Sequence, residues 1–498
     1  MANLTLYNIY IAALVAVGGF SYGFGFSMFA TSIAMPGFYN YFGLVENSDY
    51  AAKILGGVNG VFNFGLAMGA LLQGWLSDTL GRKKALALAA AFATIGGALT
   101  AGSVAIPMLI VVRFPQGIGL GILLSLVPVY LTEVAPPHKR GMLSGLTTWS
   151  FTIGYLICAW IGVGAYFAKN EAVQWRMPIA LSCFAPVVLF CGSPLIPESP
   201  RFLVQVGRKE EAWGILQKIH HDPTDPQETA AHAEFIQIQR QIEFERAEEV
   251  SYLKMLTKPS WRKRSLLAFF VQFASQSSGI LAIANYMTLV FVDLGMTGVI
   301  PLVLYAVANC FGSISVTASV FLIDRVGRRT LLLIGFPILA CILLTEGILQ
   351  WKYVGTDNHV GLGAAVAVLY LYFIVFCGCI DVTQFVWAAE IFPTSIRSRG
   401  TGISTFGYFV GAITYTTPSA VAMRNIKHNI LYLYMGLCII STIIIYFFVP
   451  ETKQLPVEEI AALFGDKVVV HLTADGQHLI EEEDISEKAT NVQQISVV

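Results

Sequence analysis

The sequence predicts an all-α membrane protein: twelve transmembrane helices in two six-helix halves, with short cytoplasmic helices between the halves. Three observations predict it. The 498 residues are 55% hydrophobic and only 13% charged, about half the charged fraction of an average soluble protein. The apolar residues gather into runs that match the roughly 20 residues a helix needs to cross a bilayer. Three charged segments of the first half recur, in the same order, about 250 residues later. A closed β-barrel is the other spanning solution, but it needs apolar/polar alternation, and these runs are continuously apolar.

Taken in order, the apolar runs of the first half cover 8–29, 57–76, 85–104, 107–131, 142–166 and 176–196; those of the second cover 265–292, 298–323, 331–350, 362–389, 399–423 and 429–449. The division that follows is a first half over 1–196, a linker over 197–264, a second half over 265–464 and a tail over 465–498. In the linker, the stretches around Trp213 and Phe235 have the periodicity of short amphipathic helices that lie against the inner face of the membrane domain. The tail is polar and holds the acidic run Glu481 to Asp484, and it reads as mostly disordered.

The placement of charge sets the expected orientation. Arg82, Lys83, Lys84, Lys139, Arg140, Arg325, Arg328, Arg329, Arg397 and Arg399 follow even-numbered runs, whereas the other side carries Lys53, Lys169, Arg176, Lys352, Arg424 and Lys427. The positive-inside rule puts both termini in the cytoplasm. The residues before Tyr7 lack a basic stretch, so the first helix is the expected insertion signal rather than a cleaved leader. The expected location is the plasma membrane, with the lipid bilayer as surroundings and a single chain as the working unit. A net charge of −1 gives no reason to expect a nucleic-acid partner. The eight cysteines fall mostly inside apolar runs and read as packing residues, and no metal or other cofactor is called for.

The repeated segments are Asp78-Thr-Leu-Gly81-Arg82 with Asp324-Arg-Val-Gly327-Arg328, Glu133 to Arg140 with Glu390 to Arg397, and Pro197-Glu198 with Pro450-Glu451. Three matches at similar offsets indicate duplication. Parallel halves of this kind are a transporter architecture, with the solute site between them near the midplane. The glycine lets the backbone turn between helices, while the Asp and Arg can pair in one conformation and release in another. Gly117, Gly119 and Gly121 imitate a dinucleotide loop, but they lie inside an apolar run that follows no strand, so close helix packing explains them better.

Gly74-x-x-x-Asp78-x-x-Gly81-Arg82-Lys83 resembles the signature of the major facilitator superfamily. Arg113-Phe-Pro-Gln-Gly117, Pro128-Val-Tyr130-Leu-Thr-Glu133, Trp175-Arg176, Pro197-Glu198-Ser-Pro-Arg201 and Pro450-Glu451-Thr-Lys453 further resemble its sugar porter family, over about residues 8–464. The resemblance implies the major facilitator fold and a gating network. Asp78, Arg82, Glu133 and Arg140 in one half, and Asp324, Arg328, Glu390 and Arg397 in the other, would hold one gate. Glu198 and Glu451 would tie in the cytoplasmic helices.

The chain departs from the family where hexoses are bound. The first-helix acid of proton-coupled members aligns with Gly25, and the fifth-helix Gln with Thr148. The seventh-helix pattern becomes Ser275 to Leu281 followed by Asn285-Tyr286, which keeps Gln276 and Tyr286. The eighth-helix Asn aligns with Gly312. The tenth-helix Gly-Pro-x-Pro-Trp becomes Asp381 to Phe385, and the eleventh-helix Asn-Trp becomes Tyr408-Phe409. Asp381 lies nine residues before Glu390, roughly 13 Å deeper along a helix, where an ionisable group is costly and usually functional. Gln384 shares its face. The expected solute-binding set is therefore Gln276, Asp381, Gln384, Thr148, Asn285, Tyr286 and Tyr408. Asp381 and Arg113 are the candidates for coupling to protons. Glu346 is expected to be peripheral.

The function these features imply is transport of a small organic solute, a sugar or polyol first, by alternating access. A specialised non-sugar metabolite and a non-transporting sugar sensor are the alternatives, and the short tail argues against the sensor. No nucleophile–base set is present to suggest an enzyme.

Overall fold

A computed structural model describes residues 6–45, 48–134, 140–220, 229–246, 251–356, 358–393, 396–453, 460, 463–464, 470–472 and 479–481. Pro136, Pro137, His138 and Lys139 of the first Glu-to-Arg segment, Glu482 to Asp484 of the acidic run, and most of the tail lie outside the described residues. The described part of the tail is not featureless. Strands β1 (Val470–Leu472) and β2 (Leu479–Glu481) pair antiparallel, with His471 opposite Ile480.

The rest is helical. The first half contains α1 (Leu6–Ser32), α2 (Pro36–Phe42), α3 (Asp49–Leu80), α4 (Arg82–Ala101), α5 (Ile106–Glu133), α6 (Arg140–Tyr166), α7 (Glu171–Leu181) and α8 (Phe184–Gly192). The linker forms α9 (Pro200–Gln205), α10 (Lys209–Ile219), α11 (Thr229–Arg246) and α12 (Tyr252–Thr257). The second half contains α13 (Pro259–Ser277), α14 (Ile280–Asp293), α15 (Ile300–Val326), α16 (Arg328–Tyr353), α17 (His359–Val375), α18 (Val382–Glu390), α19 (Arg397–Asn425) and α20 (Asn429–Phe448).

Eleven of these segments are long and apolar enough to cross a membrane, with α7–α8, α13–α14 and α17–α18 each counting as one. The twelfth predicted span is α19. It is 29 residues long, but Arg397, Arg399 and a series of Ser, Thr and Gly lower its hydropathy. Its polar side is buried against α3 and α13 rather than turned outward. Several helices run past the predicted spans: the second reaches from Asp49 to Leu80 rather than 57–76, because its ends carry polar residues that apolar runs do not include. The linker helices close over a small apolar core of Leu203, Val204, Ala212, Leu216, Ala231, Ile238 and Ile242. Asn8 of α1 donates to the Ile219 carbonyl at the end of α10 (2.9 Å), which ties that core to the first half.

Close packing shapes each half. A methyl group at Gly117 or Gly121 would meet the backbone of α3, and one at Gly119 the backbone of α4. The three glycines of the imitation nucleotide loop are thus contact points between helices. The halves meet chiefly along two helix pairs, α3 with α19 and α6 with α15, with smaller contacts of α1 with α14, α5 with α19 and α6 with α18.

Two spans are interrupted near their middles. Gly279, at φ 86°, separates α13 from α14. A π-helical turn over Phe376–Asp381 joins α17 to α18. Such turns leave backbone less regularly bonded and recur at functional sites. This one ends on Asp381.

Candidate functional site

The repeated motifs assemble at one end of the bundle, hereafter the motif face. In the first half, Arg82 grips Glu133 with two bonds, Nε to Oε2 at 2.9 Å and Nη2 to Oε1 at 3.0 Å. In the second half, Arg328 grips Glu390 in the same way, at 3.1 and 2.8 Å. Two parallel bonds between guanidinium and carboxylate fix both distance and orientation. Both carboxylates are thus held by the arginine of the Gly-Arg turn, which reaches them from the adjacent loop. The side chain of Arg140 lies outside the described residues, and Arg397 stands at the start of α19.

Glu198 and Glu451 cap helices. Glu198 Oε1 accepts from the backbone of Arg82 (2.9 Å) and Lys83 (3.1 Å), at the first turn of α4. Glu451 does the same for α16, accepting from Arg328 N at 2.9 Å and Thr330 N at 3.3 Å. A carboxylate there satisfies orphan donors and complements the helix dipole. The motif glycines make room for it. Gly81 and Gly327 have φ of 87° and 107°, and an added Cβ would fall 2.5 and 2.7 Å from the Glu198 and Glu451 oxygens.

The duplicated aspartates do not behave alike. Asp78 lies 3.6 Å from Arg82 in its own half and 3.3 Å from Arg399 of α19 in the other. Gln73 and Ser77 of α3 also reach Ser398, at 3.2 and 3.1 Å. Asp324 pairs with Arg328 of its own half at 2.7 Å, and its side chain is 69% exposed. The halves are therefore tied at the motif face through Asp78.

The opposite face is also closed. Asn59 of α3 donates to the Tyr286 hydroxyl of α14 (3.3 Å), Ser27 of α1 meets Tyr305 of α15 (3.0 Å), and Arg424 of α19 meets Asp49 of α3 (2.9 Å). Tyr286 thus belongs to a closure, and about ten helical residues, roughly 15 Å, separate it from Gln276. Asn285 is buried next to it, with no partner among the described residues for its Nδ2.

Between the two closures, the carboxylate of Asp381 accepts from Gln384 at 3.3 Å. Tyr22 and Tyr155 of the first half and Tyr408 of the second lie close enough to Asp381 to interact electrostatically. Gln276 lies beside the Tyr408 hydroxyl. The predicted residues Gln276, Asp381, Gln384 and Tyr408 therefore come together. The sequence reading missed Tyr22 and Tyr155, whose signal was the spacing of Tyr22 with Phe26 and of Phe151 with Tyr155, each i,i+4 on one helix face.

Below this cluster, toward the motif face, lies a small cavity of about 30 Å³. Its walls include Thr147, Thr148 and Phe151 of α6, Gln272 of α13, Phe385 of α18 and Thr405 of α19. Thr148 belongs here rather than beside Asp381. Phe151 and Phe385 meet across the halves at 5.9 Å between ring centres. Phe151 also packs on Tyr22 (5.9 Å) and Phe385 on Tyr408 (5.6 Å). The two phenylalanines thus form a layer between the Asp381 cluster and the cavity. Oε1 of Gln272, Gln276 and Gln384 and Oγ1 of Thr383 are buried with no hydrogen-bond partner among the described residues. Each such group costs about 1–3 kcal/mol while it stays unpaired, so the region is chemically matched to a polar ligand.

Arg113 stands apart. Its guanidinium lies over Phe62 (3.7 Å) and Phe29 (4.9 Å) and donates to Gln116 at 3.1 Å. Among the described residues no ion pair joins it to Asp381. At Gly25, an added Cβ would meet the Leu120 side chain at 2.6 Å. Glu346 is buried in α16, where Gln350 donates to it at 2.8 Å, away from the cluster around Asp381.

Comparison with known proteins agrees with this geometry. Residues 11–464 match the family described as sugar (and other) transporter. A relative named MFS-type transporter criB, from Aspergillus cristatus, is 31% identical over 96% of this chain and 97% of its own. The low-affinity glucose transporter HXT3 of Saccharomyces cerevisiae is 29% identical over 92% of this chain and 82% of its own. The H(+)/hexose cotransporter 1 of Parachlorella kessleri is 29% identical over 93% and 88%. The solved structure of the proton:xylose symporter XylE bound to 6-bromo-6-deoxy-D-glucose superposes with a TM-score of 0.79 at 22% identity, covering 92% of this chain and 99% of that one. Two six-helix halves, their duplicated charged motifs and a polar cluster between two closures all lead to one conclusion: the chain is an integral membrane transporter of the sugar (and other) transporter family, within the major facilitator superfamily.

Proposed function

We propose that this protein carries a sugar or polyol by alternating access, with the solute held between Asp381, Gln384 and Gln276 of the second half and Tyr22 and Tyr155 of the first. The observation that carries the reading is the set of unpaired buried amide and hydroxyl groups around Asp381, walled by aromatic rings. A dehydrated sugar needs a partner for every hydroxyl, and its C–H faces suit the rings. The names of the Saccharomyces and Parachlorella relatives support the same substrate class.

The reading includes three further points. Transport runs down the solute's own gradient, because Gly25 offers no carboxyl and Arg113 faces rings and Gln116 instead of an acid. Protons become partners only if Asp381 takes up that role. The motif face is cytoplasmic, as its concentration of Arg and Lys argues, and both termini lie on that side of the plasma membrane in a monomer. The test is uptake of a panel of labelled sugars and polyols into cells lacking their own carriers. Saturable uptake of at least one member is expected. No uptake of any member, with the protein at the cell surface, overturns the substrate class.

A further inference from the structure

The linker between the halves inserts one side chain into the boundary between them. Tyr252 opens α12, where Ser251 Oγ accepts from Lys254 N at 3.2 Å and so caps the short helix. The Tyr252 hydroxyl donates to the Leu71 carbonyl of α3 at 2.6 Å. Its ring lies 5.9 Å from the Arg399 guanidinium of α19. That arginine is the one that reaches Asp78 across the halves. Met255, one turn further along, is fully buried and fixes α12 against the bundle. Burial pushes the Tyr252 phenol up to about 12, so the hydroxyl keeps its proton and remains a donor.

Two glycines shape the slot. A Cβ on Gly74 of α3 would collide with the Tyr252 hydroxyl and lie 3.0 Å from Arg399 Cγ. A Cβ on Gly402 of α19 would lie 2.8 Å from the Ala70 carbonyl and 3.4 Å from the same hydroxyl. Gly74 opens the first charged motif, yet the motif's ion pairs give it no task. The phenol of Tyr252 supplies one.

We propose that Tyr252 is a positioning residue for the motif-face gate: it wedges into the α3–α19 slot, orients Arg399 toward Asp78, and must withdraw before the halves part there. The inference rests on alternating access but not on the identity of the solute. Three groups meet at one point, and they belong to the first half, the second half and the linker. Separating α3 from α19 leaves the hydroxyl on one wall and the arginine on the other. The linker thereby contributes to the free energy of closure and does more than connect the halves.

The test reads which face is open. Thr405 lines the cavity on the motif side, and the eight native cysteines are not among the residues lining it. Thr405→Cys and, separately, Thr288→Cys near the opposite closure are labelled with a thiol-reactive methanethiosulfonate probe in membranes. Peptide mass spectrometry assigns the label, so native cysteines do not confuse it. Adding Tyr252→Ala should raise the labelling rate at position 405 about tenfold and lower it at 288. Tyr252→Phe, which keeps the ring and loses the hydroxyl, should fall between wild type and Tyr252→Ala. Gly74→Ala, whose Cβ would displace the phenol and press on Arg399, should shift the labelling in the same direction as Tyr252→Ala. Unchanged labelling at 405, or a parallel rise at both positions, overturns the proposal, since the latter reports loosened packing rather than a shifted gate. If the labelling shifts as expected while no sugar or polyol is carried, the substrate reading fails and the gate role stands.

Discussion

Replacing Asp78 with Asn should open the motif face, whereas the same change at Asp324 should not. The two residues occupy the same place in the duplicated motif, so sequence alone predicts equal effects. In the structure, Asp78 meets Arg399 of the other half at 3.3 Å with the two side chains 24% and 19% exposed. The contact is an ion pair in a partly buried setting and contributes about 1 kcal/mol, the upper end for pairs that solvent still screens. About 1.4 kcal/mol is a factor of ten in population, so Asp78→Asn should enrich the motif-open state roughly fivefold. The Asp78–Arg82 contact lies within one half and does not bridge the moving parts. Asp324 pairs only within its half among the described residues, at 69% exposure. An exposed i,i+4 pair contributes about 0.3–0.5 kcal/mol and does not bridge the moving parts, so Asp324→Asn should shift the population less than about twofold. The assay is the labelling rate at Thr405→Cys, with transport of the best panel solute measured alongside. Equal shifts for the two variants would refute the assignment of the gate to the α3–α19 contact.

Three further outcomes are expected. Gly81→Ala should cost about 2–3 kcal/mol of stability, because its φ of 87° and ψ of 162° are a glycine region and its Cβ would meet Glu198; thermal unfolding in detergent should show the loss, while Gly57→Ala, with nothing within 4 Å, should not. Asp381→Asn should reduce transport at least about tenfold, with or without a proton gradient, since it removes a charged acceptor facing the solute; wild-type transport in both conditions would show Asp381 to be structural, and loss of gradient-driven accumulation alone would make it a proton site. Phe385→Ala should open the layer between the Asp381 cluster and the cavity, so that disaccharides begin to compete with the panel solute for transport; an unchanged inhibition series would show that the ring contact does not limit size.

The sequence by itself determined the class of fold and the ends of the site. Apolar run length fixed the spans, because a bilayer admits helices with no unpaired backbone. Three repeated segments fixed the two halves, because duplicated charge at matched offsets has no other economical source. It also singled out Asp381 and Gln384, since polar groups at mid-membrane depth are too costly to be incidental, while the family resemblance supplied Gln276 and Tyr408. What it could not decide were contacts between segments distant in the chain. The repeated motifs placed Asp78, Arg82 and Glu133 in one network, but that Arg82 grips Glu133 with two bonds is decided by the loop after α3. Composition left α19 the weakest span, and only its burial against α3 and α13 explains why a helix so rich in Ser, Thr and Arg is stable there. Thr148 and Tyr286 carried family positions that looked equivalent to Gln276, yet Thr148 lines the cavity on the motif side and Tyr286 stands in the opposite closure against Asn59. Tyr22, Tyr155 and Phe151 offered only an i,i+4 aromatic spacing and Tyr252 none, because an aromatic residue in an apolar helix or a short linker helix reads as packing. Their roles arise from what the other half places opposite them, and that is a property of the tertiary structure alone.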